Sequence, residues 1–267
     1  MGKRPKKKIV VILVEGESDR DALNDSISRL YGQKDPQIEV FFQSMRSEDE
    51  EKEDGGDITT AHYVDDSGKG HWANPNNIRY AIYELFLKDF FDEYKLYPKD
   101  LFEIIQIVDL DGAYIPDGNV VLDDTLSDKK SPYYTEHQIS CVNVEKIQKR
   151  NKQKRENLDY LSSQSTIKVC QKTINYSIYY FSSNLDHFLH NEANLDHWQK
   201  VHAAQAFSSG IDGKTDEFIK FFSEDPDSAH DMNYDESWAF AKEGLNSLQR
   251  HTNINILIDR IINMKVE

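Results

Sequence analysis

Six consecutive apolar residues, IVVILV at 9–14, stand between a lysine-rich start and Glu15, without the alternation of a half-solvated strand. A mostly β-branched run of this kind is buried on both faces, so residues 8–14 predict an interior strand of a parallel sheet. Ser18 is a favourable N-cap, Asp19 and Asp21 suit a first helical turn, and Ala22, Leu23, Ile27 and Leu30 recur at helical spacing. A second strand is predicted over 38–43. A helix follows over 77–94 through Ile78, Ala81, Ile82, Leu85, Phe86 and Phe90, and then a strand over 101–108 that ends at Asp109.

The stretch 44–76 is acidic and glycine-containing with no sustained period, and reads as a long insertion or mobile loop. Beyond Gly112 the chain is loop-rich to about residue 136. A helix is then expected over 144–161 and a strand over 174–181, followed by helices over 185–190, 195–207, 215–222, 237–249 and 254–264. The expected class is α/β, a central parallel sheet flanked by helices with a mainly helical C-terminal part. The expected division is a metal-binding catalytic domain over 1–140, carrying the acidic insertion, and a mostly helical region over 141–267 that either stands apart or completes the same fold. No internal repeat is legible.

Candidate chemistry collects just past two strand ends, in Glu15-Gly16-Glu17-Ser18-Asp19 and in Asp109-Leu110-Asp111-Gly112. The carboxyl ends of neighbouring parallel strands open onto one crevice, so Glu15, Asp109 and Asp111 are expected to converge although 94 positions separate the first two. Hard oxygen donors of this type suit magnesium, with manganese as the alternative. The plainer account is that these acids cap strands and accept hydrogen bonds from helix N-termini. The glycines directly after Glu15 and Asp111 favour a site, because they let backbone or substrate approach closely.

A hydrophobic strand ending in Glu15-Gly16, followed by one ending in Asp109-Leu110-Asp111, resembles the Toprim domain of topoisomerases, primases, ribonuclease M5 and nucleases of the overcoming-lysogenization-defect type. The string from Val14 to Asp19, followed by Ala22-Leu23, is similar to the nuclease branch, and the resemblance covers about 8–112. It implies a Toprim-like fold and magnesium-dependent hydrolysis of DNA or RNA phosphodiesters. It also implies Glu15 as general acid/base or metal ligand, Asp109 and Asp111 as magnesium ligands, and Asp19 beside a second ion. A phage-defence setting is implied too, with the ATPase on a separate partner because no ATPase half is legible here.

Three further features bear on this expectation. Asp186, in the first turn of the helix capped by Asn184, is a candidate additional metal ligand, with His187 and His190 on the same helix as weaker candidates. Lys146, Lys149, Arg150, Lys152, Lys154 and Arg155 form a run of uniform sign and are expected to track a phosphate backbone. Against nucleic acid stands the net charge of -15, part of it concentrated in the acidic run 47–54. That charge supports a second reading, a non-catalytic acidic module that docks on a basic partner. A third, a haloacid-dehalogenase-like phosphatase with Asp109 as nucleophile and Asp111 as acid/base, fits less well because that motif normally opens its fold. Two cysteines make no disulfide framework, and no apolar run is long enough to span a bilayer, so a cytoplasmic, non-membrane protein is expected.

Overall fold

The computed structural model describes residues 8–45, 55–65, 67–127 and 132–265. The predicted acidic run at 47–54 and the lysines at 3–7 lie outside the described residues. The protein is α/β. Its central sheet has the order β2-β1-β5-β10-β9, formed by β1 (Lys8–Leu13), β2 (Ile38–Gln43), β5 (Leu101–Asp109), β9 (Thr166–Val169) and β10 (Lys172–Phe181). All neighbours pair in parallel except β9 against β10. Two small sheets flank it, the hairpin β3 (His62–Val64) with β4 (Gly70–Trp72), and β6 (Val120–Leu122), β7 (Tyr133–Tyr134) and β8 (Ile139–Cys141).

The unbroken apolar run of β1 follows from burial on both faces. Ile9, Val11 and Leu13 point into one core with residues of α2 (Ile78–Ile82), α3 (Lys88–Tyr94), α4 (Val144–Ser162) and α8 (Tyr234–Ala241). Val10, Ile12 and Val14 point into the other with α1 (Glu17–Lys34), α5 (Leu185–His190), α6 (His197–Ile211), α7 (Thr215–Glu224) and α9 (Ile254–Ile262). Each such side chain removed from water contributes about 1.5–3 kcal/mol. Among the described residues no helix is long and apolar enough to cross a membrane.

Four expectations change. The segment 44–76 is not a structureless insertion: within its described part a 3-10 turn (Ile58–Thr60) and the β3–β4 hairpin bury Ile58, Thr59, Tyr63 and Ala73. Helix α1 starts two residues early, with Gly16 as N-cap, because the Asp19 carboxylate accepts the Gly16 N–H at 2.7 Å and turns the chain before Ser18. The helix expected over 237–249 runs instead over Tyr234–Ala241, followed by a 3-10 turn (Asn246–Leu248). A π-turn (Tyr83–Leu87) joins α2 to α3. Strand β10 also carries the chain beyond residue 141 into the same sheet, pairing Phe181 with Asp109.

A buried polar knot ties α1 and α9 to β5. Glu103 accepts the Tyr31 hydroxyl at 2.5 Å and pairs with Arg260 at 2.6 Å. Tyr31→Phe deletes a hydrogen bond to a charged acceptor in the core and is expected to lower unfolding free energy by about 1.5–2 kcal/mol in urea titration. An effect below about 0.5 kcal/mol would show that Arg260 alone satisfies the Glu103 carboxylate.

Candidate metal centre

The site forms where β1 and β5 end. Two residues past β1, the Glu15 carboxylate accepts the Asp109 N–H at 3.1 Å, which fixes one strand end against the other. The Glu15 carbonyl accepts the Gly56 N–H at 2.7 Å, so the chain leaving β2 runs directly against it. That approach requires glycine. A Cβ at Gly55 would lie 3.0 Å from the Glu15 carbonyl oxygen, one at Gly56 would lie 2.5 Å from Met45 Cε, and both residues have φ values (+153° and +132°) that side chains disfavour.

The next residue, Asp57, is thereby delivered to the strand ends. Its Oδ1 caps the 3-10 turn by accepting the Thr59 N–H at 2.8 Å and the Thr59 hydroxyl at 2.5 Å. Its other oxygen faces the crevice. One ligand oxygen from each of Glu15, Asp57 and Asp111 lies within 4.8 Å of the others, and among the described residues these three form the one such group of acids, histidines or cysteines.

Asp111 reaches the group from a clamped turn. The N–H groups of Leu110, Asp111 and Gly112 donate to the carbonyls of Phe181, Ser183 and Ser247 at 2.8, 2.9 and 3.0 Å. Asp111 itself is left-handed, at φ +50°, a conformation Asp tolerates better than most residues. The C-terminal half of the chain is therefore what aims this carboxylate.

Two cations of α4 meet these acids. Lys154 has no exposed side-chain surface, and its Nζ lies 2.8 Å from Asp57 Oδ2, 2.8 Å from Asp111 Oδ2 and 3.6 Å from Glu15 Oε1. Arg150 donates to the Asp111 carbonyl at 3.0 Å and to the Tyr134 hydroxyl at 2.8 Å. The sign of the local field follows. Burial raises the Glu15 pKa well above the ordinary carboxylate value, and although Lys154 opposes this, the neighbouring Asp57 and Asp111 charges add to it. Burial acts the same way on Asp111, but there Lys154 and Arg150 outweigh it and the pKa falls. Lys154 holds its proton more tightly than a free lysine: its burial is overcome by Asp111, Asp57 and Glu15.

The remaining expected site residues are not among these three. Asp109 does not join it. Its Oδ1 accepts the Leu185 N–H at 2.9 Å, which turns the carboxylate towards α5, and burial together with the Asp19 and Glu15 charges raises its pKa well above normal. Asp186, 2% exposed, pairs through Oδ2 with Lys200 at 3.0 Å, while its Oδ1 is buried without a hydrogen-bond partner. Asp19 is occupied at the start of α1. Lys200 and Asp186 act on the Asp19 charge, and Asp19 in turn acts on Asp109 and Glu15, so it stands between the Glu15–Asp57–Asp111 group and the acids on the α5–α6 side.

The basic run also divides. Lys146, Lys149 and Lys152 are exposed on the outer face of α4, whereas Lys154 is buried and Arg150 half-buried against Asp111 and Tyr134. Arg155, half-buried, reaches the Ile115 carbonyl at 3.4 Å. The expectation of one uniform phosphate-tracking face is corrected. Helical rotation carries residues 150, 151, 154, 157, 158 and 161 inward, where Asn157 donates to the carbonyls of Thr59 and Ala73 at 2.7 and 3.1 Å.

Comparisons with protein-family models, curated proteins and solved structures give no match to this chain. The chemistry of the residues therefore carries the functional reading. Three carboxylates within 4.8 Å, all oxygen donors, fit a hard divalent ion, and the magnesium or manganese expected from sequence is compatible with that donor set. Asp57 is the member that sequence reading leaves out. The legible signal was the Gly55-Gly56 doublet before it, which allows close backbone approach, but nothing local says what is approached.

Asp19 supplies a pH test. Burial raises its pKa to about 6, partly offset by Lys200 and the Gly16 N–H. A carboxyl with a folded pKa above its unfolded value binds more protons when folded between those two values, so its contribution to stability falls as pH rises from about 4 to about 6 and is constant above. In chelator, Asp19→Asn is expected to flatten the wild-type decline over this window by on the order of 2 kcal/mol, as measured by urea unfolding at successive pH values. Identical slopes for the two proteins would show that Asp19 titrates normally.

Proposed function

We propose that this protein is a divalent-metal-dependent hydrolase of nucleic-acid phosphodiesters, of the Toprim nuclease type. The supporting observation is the gathering of Glu15, Asp57 and Asp111 at the carboxyl rim of a parallel sheet, within reach of one ion. Bound there, magnesium or manganese would polarise the phosphodiester and offset charge on the leaving oxygen.

The chain's own groups have distinct parts. Asp57 and Asp111 hold the ion, with Asp111 kept ionised by Lys154 and Arg150. Glu15, whose pKa burial raises well above the ordinary carboxylate value, takes the proton of the attacking water or returns it to the leaving group. The exposed Lys146, Lys149 and Lys152 draw the phosphate backbone towards α4 despite the negative total charge.

The deciding assay incubates the purified chain with plasmid, single-stranded DNA, tRNA and bulk RNA in magnesium, manganese or chelator. Cleavage is expected in metal and not in chelator. No cleavage of any substrate in either metal would sink the proposal. A non-catalytic acidic module is the second reading, and the pairing of the acids with Lys154 favours it, because that pairing balances the cluster without a metal. Under that reading Glu15→Gln leaves partner binding intact and the wild type cleaves nothing.

A further inference from the structure

Lys154 occupies the space that the metal reading assigns to an ion. Its Nζ stands 2.8 Å from Asp57 Oδ2 and from Asp111 Oδ2 and 3.6 Å from Glu15 Oε1, the same three carboxylates that lie within reach of one another. A magnesium ion shared by these groups sits about 2.0–2.1 Å from each ligand oxygen. An ammonium and a divalent ion held by the same oxygens lie a few ångström apart, and at low effective dielectric they repel strongly. Arg150 is placed differently: it bonds the Asp111 main-chain oxygen and Tyr134, not the carboxylates.

We propose that Lys154 is a resident counter-ion of the Glu15–Asp57–Asp111 cluster and competes with the divalent ion for it. The inference rests on the metal reading of the site given under Proposed function. Gathering three carboxylates in a water-poor crevice is unfavourable without a cation, and removing a buried partner leaves uncompensated charge. Lys154 supplies that cation during folding, so the strand ends are assembled before any metal arrives. Metal loading then requires the ammonium to swing out on its flexible four-carbon stem. The coupling is reciprocal: whatever Lys154 contributes to the metal-free fold is subtracted from metal affinity.

The test is calorimetric titration of Mn2+ into chelator-stripped wild type, Lys154→Met, Lys154→Arg and Lys152→Met, with melting curves in chelator and in saturating Mn2+. Lys154→Met is expected to bind Mn2+ at least tenfold more tightly than wild type. It should also melt at least 5 °C lower in chelator and recover more than wild type when Mn2+ is added. Lys154→Arg, which keeps the charge, should bind no more tightly than wild type, and exposed Lys152→Met should match it. Equal Mn2+ affinity in wild type and Lys154→Met overturns this inference and leaves the metal reading standing. No binding by any of the four proteins overturns both. If Lys154→Met cannot be purified folded, acetylation of Lys154 in the wild type decides, read by mass spectrometry across an Mn2+ titration. Labelling that rises with occupancy supports displacement, and labelling that stays at the metal-free level overturns it.

Discussion

Glu15→Gln is expected to reduce metal-dependent cleavage by about 10³-fold or more while leaving the fold within a few degrees of wild-type melting temperature. The substitution is nearly isosteric, and a glutamine carbonyl oxygen can still accept the Asp109 N–H that the Glu15 carboxylate accepts at 3.1 Å. What disappears is a charge and a proton site. Burial, with the neighbouring Asp57 and Asp111 charges, raises the Glu15 pKa well above the ordinary carboxylate value, whereas Asp111 is pulled the other way by Lys154 and Arg150. Acids with pKa values driven apart in one crevice divide the work of proton transfer and charge holding. Initial rates in Mn2+ together with a melting curve check this. A variant with more than a tenth of wild-type rate would remove Glu15 from the chemistry and leave it as a brace between β1 and β5.

Gly112→Val is expected to destabilise the protein by about 3 kcal/mol or more and to take the activity with it. Gly112 has φ +67°, and a Cβ there would lie 2.6 Å from Leu248 Cδ2 and 3.0 Å from Ile139 Cδ1. Both of those side chains are buried, so neither has room to retreat. Backbone strain and steric overlap therefore add at the residue next to Asp111. The N–H of Gly112 donates to the Ser247 carbonyl, and any shift of this turn moves the Asp111 carboxylate off Lys154 and out of the cluster. Gly118→Val is the matched control, since nothing lies within 4 Å of its Cβ position and φ is ordinary, and its expected cost is under about 0.5 kcal/mol. Urea midpoints of the two variants that fall within the same small range would show that the 110–112 turn yields readily.

The α/β class, the interior β1, and acids at the ends of β1 and β5 were all legible in the order of residues. Each depends on a local signal. Six apolar residues in a row mean two covered faces, and a carboxylate directly after such a run stands at a strand end wherever the neighbouring strands lie. The membership of the cluster was not legible in that way. Asp57 enters because the Gly55-Gly56 backbone can press against the Glu15 carbonyl, a contact between segments about forty positions apart that leaves no period in the sequence. Asp109 leaves because the Leu185 N–H, 76 positions away, draws its carboxylate aside.

Lys154 shows the same division between local pattern and packing. Within the run 146–155 all six cations look alike. The packing of α4 against Thr59, Ala73 and the Asp111 turn decides which face turns inward, placing Lys154 among acids while Lys146, Lys149 and Lys152 stay in water. Strand and helix identity is written in spacings of two to four residues, which the chain carries along its own length. The charge balance of a buried crevice depends on which distant segments share it, and in this protein that was settled only when β1, β5, α4 and the chain leaving β2 came together.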